Sequence, residues 1–253
     1  MILKRVIPIL LFSNDGLYKT IKFNNKKYVG DPINAVRIFN DLGADEIIIL
    51  DIEASKTKSG PNFDLIKNLA AECFMPLTYG GGIRTIQDAE SILKLGVEKV
   101  CVNHEAIENP NLINDLSKHL GTSTIVASID IKKSFWGQYR VYSHIKKKNI
   151  NINVVNLAKE LADRGTGELL ITNVDREGTQ SGLDTTLIEN ITKAVNVPVI
   201  GHGGCGKFLD ILECFQTGAS AVACGSMFVF SGPHKAVLIN YITSEEYFAI
   251  NKI

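Results

Sequence analysis

The strongest constraint on this chain is that it repeats itself without a gap. Displaced by 122 residues, Pro76 falls on Pro198, Gly81-Gly82 on Gly203-Gly204, Asp88 on Asp210, Gly96 on Gly218 and Val100 on Val222. The same displacement carries Gly43 onto Gly165 and Glu46 onto Glu168. A correspondence of that length means two copies of one structural unit sharing a core. Within each copy, short apolar runs alternate with segments of helical period. The runs are 5–11, 46–51, 76–79, 99–102, 124–130, 168–173, 198–201 and 221–224. They are rich in Val, Ile and Leu with little polar alternation, as strands buried on both faces should be.

Helix starts and stops punctuate the intervals. Asp31-Pro32, Pro61-Asn62, Thr85 and Asp184 open helices, and Gly43 and Gly96 close two of them. Eight βα units predict a single (β/α)8 TIM barrel of two half-barrels, favoured over an open doubly wound sheet. No linker divides the halves, so residues 1–253 read as one domain. Residues 132–150 break the rhythm: they alternate like a hairpin around Gly137 and carry Trp136, Tyr139 and Tyr142. That insertion reads as a solvated hairpin or as a lid over an anionic ligand.

Composition narrows the function. Lys plus Arg and Asp plus Glu both number 27, so the net charge is zero and no field steers a polyanion; nucleic acid is not an expected partner. No apolar run approaches the roughly 20 residues of a membrane span, so no membrane association is expected. Residues 1–11 carry Lys4 and Arg5 within their apolar stretch and read as a first strand, not a secretory leader. Five cysteines without a CxxC pair suggest reduced, buried thiols and a cytoplasmic protein, with no metal or cofactor required.

The rim of such a barrel, at the C-terminal strand ends, is where chemistry sits. Gly81 and Gly82 follow the third strand and precede a helix; Gly203 and Gly204 do the same after the seventh. Glycines there let backbone N–H groups turn toward an anion at a helix N-terminus. Asn103 after the fourth strand, and Gly225-Ser226 after the eighth, complete two phosphate grips related by the repeat. Two grips on one mouth imply a ligand with a phosphate at each end. Asp130 ends strand five beside Ser128, flanked by Ile129 and Ile131; an apolar setting would raise its pKa and suit it to acid/base work. Asp51 and Asp175, at the ends of strands two and six, either bind substrate hydroxyls or brace loops. At the opposite end Arg5, Glu46, Lys99 and Glu168 begin strands, as a salt-bridge ring would.

Together these residues resemble the cyclase subunit of imidazole glycerol phosphate synthase. The resemblance rests on Arg5, residues 43–46 leading to Asp51, Gly80-Gly81-Gly82-Ile83-Arg84, Lys99 with Asn103, Ile129-Asp130, Asp175-Arg176-Glu177-Gly178-Thr179 with Ser181-Gly182, and residues 203–207, and it runs nearly end to end. It implies a bis-phosphate substrate and a separate glutaminase subunit forming a heterodimer. It also implies ammonia entering through a floor gate at Arg5, Glu46, Lys99 and Glu168. Lys19 is implied as a substrate contact. The family uses two rim aspartates, one corresponding to Asp130 and the other falling on Leu11, which cannot carry a proton; Ser13 and Asp15 lie a few residues beyond it. That departure resembles second-copy cyclase-like proteins which, with a glutaminase, feed ammonia to a sugar amidotransferase in surface-polysaccharide biosynthesis. A related sugar isomerase shares the repeat and both grips but needs no ammonia, and it too wants an acid where Leu11 stands.

Overall fold

Val, Ile and Leu fit a pleated surface covered on both sides, and each of the eight apolar runs forms a strand. A computed structural model describes residues 3–250 and Lys252; Met1 and Ile2, read above with the first strand, lie outside the described residues. The barrel strands are β1 (Arg5–Ser13), β2 (Ile47–Asp51), β3 (Leu77–Gly80), β4 (Lys99–Val102), β5 (Ile125–Lys133), β6 (Glu168–Asn173), β7 (Val199–His202) and β8 (Ala221–Cys224). Each pairs in parallel with the next, and β8 returns to β1 through Arg5↔Ala221 to Pro8↔Cys224. The ring closes, so the protein is a (β/α)8 barrel and not an open sheet.

Side chains alternate across this wall. Ile7, Ile9, Ile48, Val126, Leu170 and Ile200 fill the lumen, while Val6, Leu10, Ile47, Ile49 and Ile129 face the helices. The covering helices are α1 (Pro32–Asp41), α2 (Phe63–Glu72), α3 (Ile86–Lys94), α4 (Asn111–Leu120), α5 (Val154–Asp163), α6 (Thr185–Thr192), α7 (Phe208–Gln216) and α8 (Ser244–Ile250). Their starts follow the residues expected of them. Asp31, Asn62 and Asp184 each accept a backbone N–H from the first turn, and Thr85 with Asp88 forms a capping box. The repeat carries structural roles with it: Asp88 accepts from the Arg84 and Thr85 N–H groups, and Asp210 accepts from those of Gly206 and Lys207.

Strands β1 and β5 outrun the barrel, and each feeds a hairpin over the mouth. At the second, the Gly137 turn joins β5 to Tyr139–Ser143 through Ile131↔Val141 and Lys133↔Tyr139. Lys148–Ile150 pairs in turn with Tyr139–Ser143, a strand that the reading of one hairpin around Gly137 did not separate. The first, Gly16–Ile21 with Asn24–Gly30, was not legible in the sequence. Its second strand is mostly polar and exposed, and Lys22 and Phe23 in its turn, with Asn25 just inside the strand, adopt positive φ, where side chains rarely go. Among the described residues no helix is long and apolar enough to cross a membrane.

Candidate active site

Closure of the barrel leaves a cavity of about 370 Å³ at the C-terminal strand ends. Its base is set by strand alternation: Leu11, Leu50, Cys101, Ser128 and Thr172 point inward from five different strands. Gly81 and Gly82 line one side with Asn103, so the first of the expected grips opens on the cavity. Both glycines are at positive φ (136° and 72°), and a Cβ on Gly82 would lie 2.6 Å from the Gly60 carbonyl carbon, so this turn demands glycine. The roof comes from the two hairpins, whose Phe23 and Tyr142 rings approach with centroids 6.3 Å apart.

The second grip lies behind this wall. Gly203, Gly204, Gly225 and Ser226 do not line the cavity. The Gly204 carbonyl accepts a hydrogen bond from the Gly182 N–H. Lys19 leans against Gly225, where a Cβ would collide with its ammonium. Burial holds the Lys19 pKa below the usual lysine range, against the opposing pull of Glu177. The ammonium therefore rests beside the Gly225-Ser226 turn and away from the first grip.

Asp130 is on the cavity wall, yet its surroundings differ from those expected. Ile129 and Ile131 turn outward into the helix-facing core, and the carboxylate meets polar groups instead. Asn103 Nδ2 donates to Asp130 Oδ2 at 3.2 Å and to the Ser128 carbonyl at 3.1 Å. His144 Nδ1 stands 3.6 Å from the same Oδ2. Leu11 faces the cavity where the resemblance places a second aspartate. Neither nearby polar residue takes that place: Ser13 lies off the cavity and accepts a hydrogen bond from Lys26 Nζ at 3.0 Å, and Asp15 is exposed in a turn.

The remaining rim acids brace loops. Asp51 lines the cavity while its Oδ1 accepts from the N–H groups of Glu53 (2.9 Å) and Ala54 (3.1 Å); burial raises its pKa against those bonds. Asp175 lies off the cavity and accepts from the Lys133 N–H at 2.8 Å. Three residues to which the sequence reading gave no role, Glu177 among its motifs and His202 and His144 outside them, also line the cavity. Glu177 accepts from Thr20 Oγ1 at 2.8 Å and anchors the first hairpin. His202 packs its Nδ1 3.1 Å from Thr172 Oγ1, and burial drives its pKa down to about 3, so it is neutral near pH 7. His144 enters from the second hairpin. Its signal was the alternation that places Tyr142 and His144 on one face, readable only once the register with β5 is known.

At the other end of the barrel the four charged strand starts close into a ring. Arg5 reaches Glu46 (2.5 Å) and Glu168 (3.0 Å), and Lys99 reaches the same two carboxylates (3.0 and 3.2 Å). Thr78 Oγ1 donates to Glu46 at 3.0 Å, and Glu168 Oε2 is buried without a partner. All five cysteines are free, and Cys205 and Cys224 bring their sulfurs within 3.1 Å.

A twofold-repeated barrel with a glycine-turned mouth, an inward carboxylate and a charged floor defines a class of small-molecule α/β-barrel enzymes. Residues 5–234 match the family described as "Histidine biosynthesis protein". A Pseudomonas aeruginosa protein named "Putative imidazole glycerol phosphate synthase subunit hisF2" is 48% identical over 242 residues, covering 95% of this chain and 96% of that one. A Leptospira interrogans protein named "Putative imidazole glycerol phosphate synthase subunit HisF" is 44% identical over 248 residues, covering 97% of this chain and 98% of that one. The "Imidazole glycerol phosphate synthase subunit HisF" of Alkaliphilus metalliredigens is 39% identical over 232 residues, covering 91% and 92%. The chain belongs to the histidine biosynthesis protein family, on the branch that contains the HisF subunits of imidazole glycerol phosphate synthase.

Proposed function

We propose that this protein is a working cyclase-type subunit that takes up ammonia from a glutaminase partner through the barrel floor. There it joins the ammonia to a bis-phosphate ligand held at the mouth. The observation that carries this reading is the joint placement of Asp130, Asn103, Gly81 and Gly82 on one cavity of about 370 Å³, with the Arg5–Glu46–Lys99–Glu168 ring beneath the same barrel axis. In this reading the Gly81-Gly82 turn grips one phosphate. Lys19, whose ammonium already lies against Gly225, meets the other, which the Gly203-Gly204 and Gly225-Ser226 turns hold. Asp130, fixed by Asn103, exchanges protons with the reacting atoms. The floor ring parts to admit neutral ammonia while its charges turn away hydrated ions. Asp51 and Asp175 keep the rim loops in place around the ligand.

Turnover tests the reading. Purified protein supplied with an ammonium salt and the bis-phosphate substrate of the cyclase subunit should give cyclised product. Asp130→Asn should lower the rate by about 10²-fold or more. Product formation no faster than in buffer would refute it.

A second reading is favoured by two observations. Leu11 occupies the cavity wall, and a relative 48% identical is named as a hisF2 copy. On that reading the barrel binds and activates a cytoplasmic glutaminase and passes the ammonia on to a sugar amidotransferase. The partner's glutaminase rate, measured with and without this chain, separates the two when set beside the turnover assay: stimulation without cyclisation favours the conduit.

A further inference from the structure

The missing acid at position 11 leaves a chemical gap that the cavity itself fills from another element. We propose that His144 is the second proton-transferring residue of this site, working as a pair with Asp130; the proposal rests on the cyclase reading above.

Three observations place it there. His144 lines the same cavity as Asp130 and Leu11. Its Nδ1 is 3.6 Å from Asp130 Oδ2, a gap that a small ring rotation closes into a hydrogen bond, and acid/base contacts are commonly long before ligand binds. Its side chain is one-fifth exposed, so the ring is held by the fold yet open to a ligand. The placement is dictated by register. Ile131↔Val141 and Lys132↔Arg140 continue β5 into the hairpin, and the period of two brings Tyr142 and then His144 onto the face that Asp130 and Ser128 share. Asn103 Nδ2 donates to the same Oδ2 that His144 Nδ1 approaches, so one carboxylate oxygen meets both an amide donor and an imidazole.

The chemistry needs both members. Joining ammonia to a carbonyl carbon forms a C–N bond, breaks a C–O bond, and moves two hydrogens from nitrogen to the oxygen that leaves as water. The Asp130 carboxylate takes a proton from the attacking nitrogen while the His144 imidazolium gives one to the oxygen. The carboxylic acid so formed passes its proton across the short gap to the neutral imidazole, which restores both groups. A second round removes the second proton from nitrogen and releases water. An imidazole has one ring nitrogen that can accept a proton and another that can donate one, so it can serve this exchange in a way that leucine cannot.

The test compares wild-type protein, His144→Gln and His144→Gly, using ammonium chloride and the cyclase substrate and measuring kcat and KM separately. His144→Gln should lower kcat by about 10²–10⁴-fold with KM within threefold, and free imidazole should restore part of the rate to His144→Gly. A kcat for His144→Gln within threefold of wild type overturns the proposal and leaves the cyclase reading standing. So does a rise in KM matching the loss of rate with no rescue by imidazole, which would make His144 a structural part of the lid. Wild-type protein that binds the substrate but gives no product overturns the proposal and the cyclase reading together.

Discussion

His202 gives the structure a measurable pH signature. Its ring is buried in the cavity base beside Thr172, and burial, helped by the nearby Lys19 ammonium, lowers its pKa from 6.5 to about 3. In the unfolded chain the same ring takes up a proton near pH 6.5. Between those values the unfolded state holds a proton that the folded state refuses, so stability falls as the pH falls. The loss is about 1.4 kcal/mol for each pH unit, or about 2 kcal/mol between pH 7.5 and pH 5.0. That is a substantial part of the roughly 5–15 kcal/mol by which domains are stable. Urea denaturation of wild-type and His202→Asn protein at the two pH values isolates it. Wild type should lose about 2 kcal/mol more than the variant over this interval, whatever the variant's own stability at pH 7.5, by the same linkage. Equal losses would show that His202 titrates normally and that the cavity base is wetter than the packing around it implies.

Two further outcomes follow from the floor and the rim. Glu46 is almost fully buried and serves both Arg5 and Lys99, so Glu46→Gln leaves two cations to share Glu168 and should cost about 3–5 kcal/mol in chemical denaturation. A loss under about 1 kcal/mol would mean that the ring contributes nothing to holding the barrel floor. Gly82→Ala sets a Cβ against the Gly60 backbone at φ +72°, so it should destabilise the fold by about 1 kcal/mol or more and weaken phosphate binding. Unchanged affinity for inorganic phosphate in that variant would remove the turn from the binding site.

The repeat was the most informative feature of the sequence because it fixed positions rather than tendencies. Gly81 and Gly203 both adopt positive φ, as do Gly82 and Gly204, and Asp88 and Asp210 perform the same capping task. Strand existence was legible wherever both faces are buried, and strand ends at Lys99, Val102, Glu168, Asn173, Ala221 and Cys224 coincide with the apolar runs. The first hairpin escaped because Asn24–Gly30 lacks an apolar face and owes its shape to pairing with Gly16–Ile21. The site was half legible. Asp130, Asn103 and the Gly81-Gly82 turn follow from strand ends, which composition marks clearly. His144 and His202 do not, because one depends on hairpin register and the other on what the closed barrel buries. Asp130 shows the same limit: its sequence neighbours are apolar, but alternation turns them away, and its true neighbours come from other strands.

On the cyclase reading proposed above, one mouth holds a phosphate at each end of its ligand. Phosphorus NMR of the cyclase subunit's bis-phosphate substrate, titrated with this protein without ammonia, reads both ends at once. Both phosphorus resonances should shift with one ligand bound per chain. Gly82→Ala should suppress one shift and spare the other. A titration in which neither resonance moves, or in which a single phosphate responds, would contradict that reading.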